Sequence, residues 1–488
     1  MLLFLDMNNM HKDIIIIGAG VSGIGAACHL SRKHPNKSYI ILESREELGG
    51  TWSLFKYPGI RSDSDMYTFG YSFKTWDNPK SFADAPSILK YLNEASDEFK
   101  VKNHIKYQQR VISYNFNTYK KLWLVTTVNT ITGEELIYTC NFIFSCSGYY
   151  NYNKGYTPEF KGQLDYEGEI IHPQKWPENF DCTNKKIVVI GSGATAVTIV
   201  PKLASKASHI TILQRSPSYI GNFPSKDKVA AIIKYIFSKK LAHSLIRFKN
   251  ILIQIIFFSL CRSFPKSMKK IIIKGAEKQL GNFPVNPHFR PNYNPWEQRF
   301  CIAPDGDFFK VIKDGKASII TEHIDCFTKN GILLKSGETI EADAIITATG
   351  LNLLAFGATK INIDSIPFDV SKSFVYKGVM LSNLPNFFMF VGYTNASWTL
   401  KIDLTNEYIS RILKYLENRN YSALQVKVNE DTLDPIPLLN LNSNYIHRSA
   451  NILPKQGNKV PWRLYQNYIL DYKLLRIDKI KDEWMTFF

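Results

Sequence analysis

The most constraining feature of this chain is a pattern that occurs twice: a short β-branched run that breaks into a glycine turn and resumes as a helix. Asp13–Ile17 reads as a strand and Gly18-Ala-Gly20-Val-Ser-Gly23 as the turn, with Ile24, Ala27 and Leu30 spaced for a helix face. Tyr39–Leu42 then reads as a second strand, ending at Glu43. The same order recurs 173 positions later: strand Lys186–Ile190, turn Gly191-Ser-Gly193-Ala194-Thr195-Ala196, a helix running through Val197–Leu203, and strand Ile210–Leu213. Each is a βαβ unit. Two of them so far apart predict an α/β chain with two dinucleotide-binding (Rossmann-like) domains.

A glycine string alone is weak, and its position between a strand and a helix is what gives it meaning. At the first turn Gly18 permits the sharp bend, Gly20 lets backbone approach a pyrophosphate, and Gly23 lets helix and sheet pack closely. The helix N-terminus then offers unpaired N–H groups to phosphate. Glu43 stands at the end of the second strand, where a carboxylate accepts ribose hydroxyls; a plain surface Glu is the alternative. At the second turn Ala196 takes the last glycine's place. The position equivalent to Glu43 is Ser216, preceded by Arg215. A guanidinium with a hydroxyl beside it welcomes a 2′-phosphate that a carboxylate would repel. The first site is therefore expected to take FAD and the second NADPH, unless Arg215 is only a solvated charge.

Two further strands, Phe142–Ser145 before Gly148 and the run from Asp343 to Gly350, read as chain crossings between the domains. The expected division is an FAD-binding domain from 1–150 and 352–488, and an NADPH-binding domain from 151–351. Within the latter, about 217–291 loses the βα rhythm and reads as a helical insert. Lys226–Lys274 carries twelve Lys and Arg against one acid, Asp227. The whole chain has 60 basic and 43 acidic residues. With no zinc-finger spacing or RNP-type motif, that charge does not point to nucleic acid. Seven cysteines without a CxxC fit a reducing compartment and argue against a disulfide reductase. The apolar run at the N-terminus is five residues, and Ile251–Cys261 is 11; neither reaches a membrane-spanning length, so no transmembrane helix is expected. Met7 and Met10 are alternative starts. No metal-ligand constellation stands out.

Gly49-Gly50-Thr51-Trp52, followed by Tyr57-Pro-Gly and Asp63, resembles the GGxW…YPG…D segment of class B flavoprotein monooxygenases. Tyr166-Glu-Gly-Glu-Ile-Ile-His172-Pro-Gln-Lys-Trp176-Pro177 resembles the Baeyer–Villiger fingerprint FxGxxxHxxxW[P/D], with Tyr166 in place of Phe. Segments beginning at Ser62, Cys146, Tyr293, Gly392 and Leu453 are similar to the subgroup that contains the ethionamide-activating monooxygenase, so the likeness spans nearly the whole chain. It implies FAD and NADPH as cofactors. It also implies insertion of one oxygen atom from O2 into a lipophilic ketone, or oxidation of a sulfur centre, through a C4a-peroxyflavin.

The resemblance gives Asp63 and Arg299 catalytic roles, as a carboxylate beside the flavin and the arginine it pairs with. Elementary electrostatics agrees: a peroxide anion survives where water is excluded and a fixed cation stabilises it, and a desolvated Arg calls for a carboxylate partner. A purely structural ion pair is the alternative. Many relatives carry Lys before this Arg; here it is Gln298. His172 and Trp176 read either as couplers of domain motion to NADPH or as packing, and His172 is not read as a general base. Three other functions stay open: an N- or S-oxidising monooxygenase without ketone activity, an NADPH oxidase, and an added lipid-surface contact through the basic insert. The expected setting is cytoplasmic, at most peripheral to the inner face of a membrane. Substrate identity and oligomeric state are not legible.

Overall fold

In the computed structural model, residues 10–429, 432–439, 442 and 444–488 are described; the N-terminal apolar run and the alternative start Met7 lie outside them. The first sheet is built around β1 (His11–Ile17), whose Ile14–Ile17 are all buried. Helix α1 (Val21–Lys33) follows the glycine turn, and β2 (Tyr39–Leu42) pairs parallel with β1. A meander of β3 (Gln109–Asn117), β4 (Leu122–Asn129) and β5 (Glu135–Ser145) runs antiparallel. The far half of β5 returns parallel to β1, and Phe387–Met389 pairs parallel with its last residues. Strand Lys360–Ile363 extends the meander at β3. This sheet thus draws on two stretches of chain, one on each side of the second sheet.

The second sheet is five-stranded and wholly parallel. It contains β6 (Glu169–Ile171), β7 (Lys186–Ile190), β8 (His209–Gln214), β9 (Ala317–Thr321) and β10 (Ala344–Thr347), in the spatial order β9-β8-β7-β10-β6. Helix α2 (Ala194–Leu203) connects β7 to β8. Such a sheet is covered on both faces, which accounts for the unbroken apolar runs that its strands show in the sequence.

The two crossings between the sheets lie against each other. The Asn151 N–H donates to the Asn352 carbonyl at 2.8 Å, and the Tyr156 N–H donates to the Gly350 carbonyl at 3.0 Å. The insert begins as a strand, Ile220–Phe223, paired with Cys301–Pro304. It continues as helices α3 (Lys228–Ile236), α4 (Lys239–Ser263) and α5 (Pro265–Leu280). By length and composition alone α4 is long and apolar enough to cross a membrane. Arg247, Lys249, Asn250 and Gln254 break the run in sequence, but three of them turn inward. Arg247 donates to the carbonyls of Tyr67, Thr68 and Gly70 and to Asp403, while Asn250 and Gln254 donate to Asp65. One face of α4 is thus fastened to the first domain.

Candidate active site

One cleft, about 1030 Å³ in volume, is lined by residues from both βαβ units. At the first turn a side chain on Gly23 would put its Cβ 1.9 Å from the Gly18 carbonyl oxygen, so only glycine lets α1 sit this close to the sheet. Gly20 faces Gly50 across a gap in which a Cβ on Gly50 would reach the Gly20 Cα at 2.9 Å. The N-terminus of α1 has no side-chain cap, which leaves its first N–H groups aimed at the cleft. Glu43 is buried at the end of β2. Its Oε2 accepts from the Ala19 N–H at 2.7 Å and its Oε1 from the Arg45 N–H at 3.0 Å, which fixes a carboxylate at the cleft edge. Thr51 and Trp52 line the same wall.

The second turn repeats the construction. Gly191 sits at φ 130°, and a Cβ there would lie 2.4 Å from the Ala348 carbonyl oxygen. Nothing lies within 4 Å of where a Gly193 side chain would be, and α2 also begins without a side-chain cap. Gly193, Ala194 and Thr195 therefore present open backbone to the cleft. Arg215 and Ser216 are exposed at its mouth, and Arg215 forms no ion pair among the described residues.

Between the two turns Arg299 and Asp63 meet from positions 236 apart in the chain. The Arg299 Nε donates to Asp63 Oδ2 at 3.0 Å, and its second nitrogen donates to Oδ1 at 3.0 Å and Oδ2 at 2.9 Å, a bidentate fork. The Arg299 side chain is 40% and that of Asp63 26% exposed, so the pair faces the cleft rather than the core. Gln298 lines the cleft beside them.

Two sequence-predicted residues sit behind the wall: Gly23 and Ala196 do not line the cleft, consistent with their role in helix–sheet packing. Trp176 does not line it either. It stacks edge-on to Phe180, with ring centres 5.4 Å apart, and packs on the second domain's core. That places it on the packing side of the two readings. His172 does reach the cleft and joins the crossings: its Nε2 donates to the Gly350 carbonyl at 3.1 Å, and its Nδ1 accepts from the Gln174 N–H at 3.2 Å. Burial lowers the pKa of His172, so the neutral ring is favoured. With both ring nitrogens engaged, His172 ties the crossings together.

Several lining residues were not singled out in the sequence. Tyr57, within the YPG segment, lies near Thr195 of the other domain and near Asp63; burial raises its pKa, so it remains a phenol. The Tyr152 hydroxyl lies 3.2 Å from Thr51 Oγ1, and its pKa is pushed up to about 12 by burial. Trp398 donates from Nε1 to Ser22 Oγ at 2.8 Å. Tyr57 and Trp398 carried a signal only as members of the segments behind the resemblance, and Tyr152 lies one residue beyond one of them. None of residues 219–297 lines the cleft, so the insert does not cover it.

The family described as pyridine nucleotide-disulphide oxidoreductase matches residues 15–277. EthA of Mycolicibacterium smegmatis, an FAD-containing monooxygenase, is 47% identical over 479 residues, 98% of this chain and 97% of EthA. The chain belongs to the FAD-containing monooxygenases. The resemblance read from the sequence is thereby borne out, as is its class as an oxidoreductase. OTEMO, solved in complex with FAD and NADP, shares the fold at a TM-score of 0.69 and 22% identity, covering 85% of this chain and 86% of its own. An open structure of cyclohexanone monooxygenase gives 0.71 at 21% identity, covering 86% and 90%. Disulfide chemistry does not fit the site. Cys146 and Cys301 line the cleft, but burial raises the Cys146 thiol well above its usual value and pushes Cys301 up to about 12, and no cysteine is paired.

Proposed function

We propose that this monooxygenase uses FAD, NADPH and O2 to insert one oxygen atom into lipophilic ketones and to oxidise sulfur centres, in Baeyer–Villiger fashion. The observation that carries the reading is the bidentate Arg299–Asp63 pair, set in one cleft between two uncapped helix N-termini. The residues fit the cofactors. Gly18, Gly20, Gly50, Thr51, Trp52 and the buried Glu43 form a cradle for a pyrophosphate and a ribose. Gly191, Gly193, Ala194 and Thr195 form the second, with Arg215 and Ser216 at the 2′-phosphate. FAD, when bound, supplies the redox centre that takes a hydride from NADPH and activates O2. Arg299 holds a fixed positive charge where negative charge develops on oxygen, and Asp63 aims the guanidinium. His172 ties the crossings so that the two cradles keep their spacing. The balance is ketone, O2, NADPH and a proton giving ester or lactone, NADP⁺ and water. The seven unpaired cysteines support a reducing, cytoplasmic setting.

A panel of a ketone, a sulfide and an amine separates this reading from an N- or S-oxidising enzyme: ester or lactone from the ketone is the expected product, and amine oxide without ester contradicts it. Arg215 carries a second expectation. Losing one charge-assisted partner of a phosphate removes about 1.5–3 kcal/mol of binding. Arg215→Ala should therefore raise the KM for NADPH roughly 10- to 100-fold while leaving that for NADH nearly unchanged. An equal change for both nucleotides would remove Arg215 from the 2′-phosphate site.

A further inference from the structure

Helices α3, α4 and α5 leave apolar stripes and a row of lysines uncovered, and we infer that this helical insert docks on an anionic lipid bilayer. On α3, Ile232, Tyr235 and Ile236 are 59%, 92% and 64% exposed. On α4, Leu241, Leu245 and Phe248 are 48%, 37% and 59% exposed, spaced four and three apart, and the stripe continues to Leu260. Both sets follow helical periodicity, so each forms a continuous face rather than scattered singles. Contiguous apolar surface on this scale marks an interaction site. On α5, Lys266, Lys270, Lys274 and Lys278 recur every fourth residue, all exposed and none in an ion pair among the described residues.

Charge decides the occupant. A second copy would bring this twelve-to-one basic segment against itself. A nucleic acid would satisfy the lysines but leave the apolar stripes in water. A bilayer with anionic headgroups satisfies both: leucines and isoleucines enter the acyl boundary while lysines stay among the phosphates. The opposite face of α4 excludes a transmembrane pose, because Arg247, Asn250 and Gln254 are tied to Tyr67, Thr68, Gly70, Asp65 and Asp403. The helix therefore lies along the surface. Its inner edge, Ile251 and Ile255, packs with Tyr393, Leu400 and Ala396, and Tyr393 and Ala396 line the cleft. The docked bilayer would sit one helix away from the site that receives a lipophilic substrate.

The test is co-sedimentation of the FAD-loaded enzyme with vesicles of phosphatidylcholine alone or mixed with phosphatidylglycerol, read without turnover so that it stands apart from the oxygenation chemistry. Binding is expected to the mixed vesicles and to fall with salt. It should drop by roughly tenfold or more in I232S/I236S/F248S and in K266E/K270E/K274E. None of these residues lines the cleft, so FAD content and the rate of reduction by NADPH should match wild type, which shows that the variants are folded. Wild type left in the supernatant with both vesicle types overturns the inference. So does a dimer that I232S/I236S/F248S dissociates, or vesicle-bound protein that resists alkaline carbonate extraction as a spanning helix would.

Discussion

Arg299→Ala should still be reduced anaerobically by NADPH at close to the wild-type rate, yet lose oxygenated product by roughly 10²- to 10³-fold, with NADPH diverted to hydrogen peroxide. Two features of the site separate these outcomes. The cradle at Gly191 to Thr195 and the exposed Arg215 present their own backbone and guanidinium to the nucleotide, so nucleotide binding survives. The fork to Asp63, in contrast, holds the guanidinium in one orientation at the cleft. A preorganised cation of this kind acts where charge develops and costs no reorganisation at the moment of reaction. Arg299→Lys should recover only part of the loss, because an ammonium cannot reproduce the two-nitrogen fork. Product yield and peroxide release, measured together, check the result. Full product from the alanine variant would reduce the pair to a structural tie.

The second large effect is on stability. Arg247 and Asp403 are each 8% exposed at the side chain, and Arg247 serves three carbonyls besides the carboxylate. Burial pushes the Asp403 carboxyl up, but hydrogen bonding from His29 and the Arg247 charge outweigh it and hold the carboxyl below its usual range. Neighbouring His243 is kept neutral, its pKa lowered to about 4 chiefly by burial and also by Arg247. Arg247→Met should cost about 3–5 kcal/mol, the usual penalty for breaking a buried pair and leaving its partners behind. With an unfolding entropy of about 1 kcal/mol/K for a chain of 488 residues, this lowers Tm by roughly 3–5 °C. Activity should fall as well, because the released segment, 65–70, follows Asp63 directly. Thermal unfolding of the variant beside wild type measures it; an unchanged Tm would show that the insert does not hold the first domain.

The two βαβ units were legible because their information is local. Glycines at fixed offsets, flanked by β-branched runs, admit few other structures, and Gly23 with its 1.9 Å approach shows why no other residue would serve there. The change from Glu43 to Arg215-Ser216 was readable for the same reason. Arg299 and Asp63 were found only through resemblance, since nothing in either local sequence reveals a partner 236 residues away. The tie of Arg247 to Asp403 carried no signal at all: a lone Arg within an apolar helix looks like an interruption until the fold supplies three carbonyls. Trp176, read from the fingerprint either as a coupler of domain motion or as packing, has its ring against Phe180, a contact that its local sequence does not announce.

The central claim is oxygen transfer by this cleft, and isotopic oxygen tests it most directly. The FAD-loaded enzyme, supplied with NADPH, a cyclic ketone and ¹⁸O2, should yield lactone carrying one ¹⁸O atom, with NADPH consumed in step with product. NADPH consumed in step with hydrogen peroxide, without labelled lactone or labelled sulfoxide from a sulfide control, would contradict the account and leave an oxidase built on the same fold.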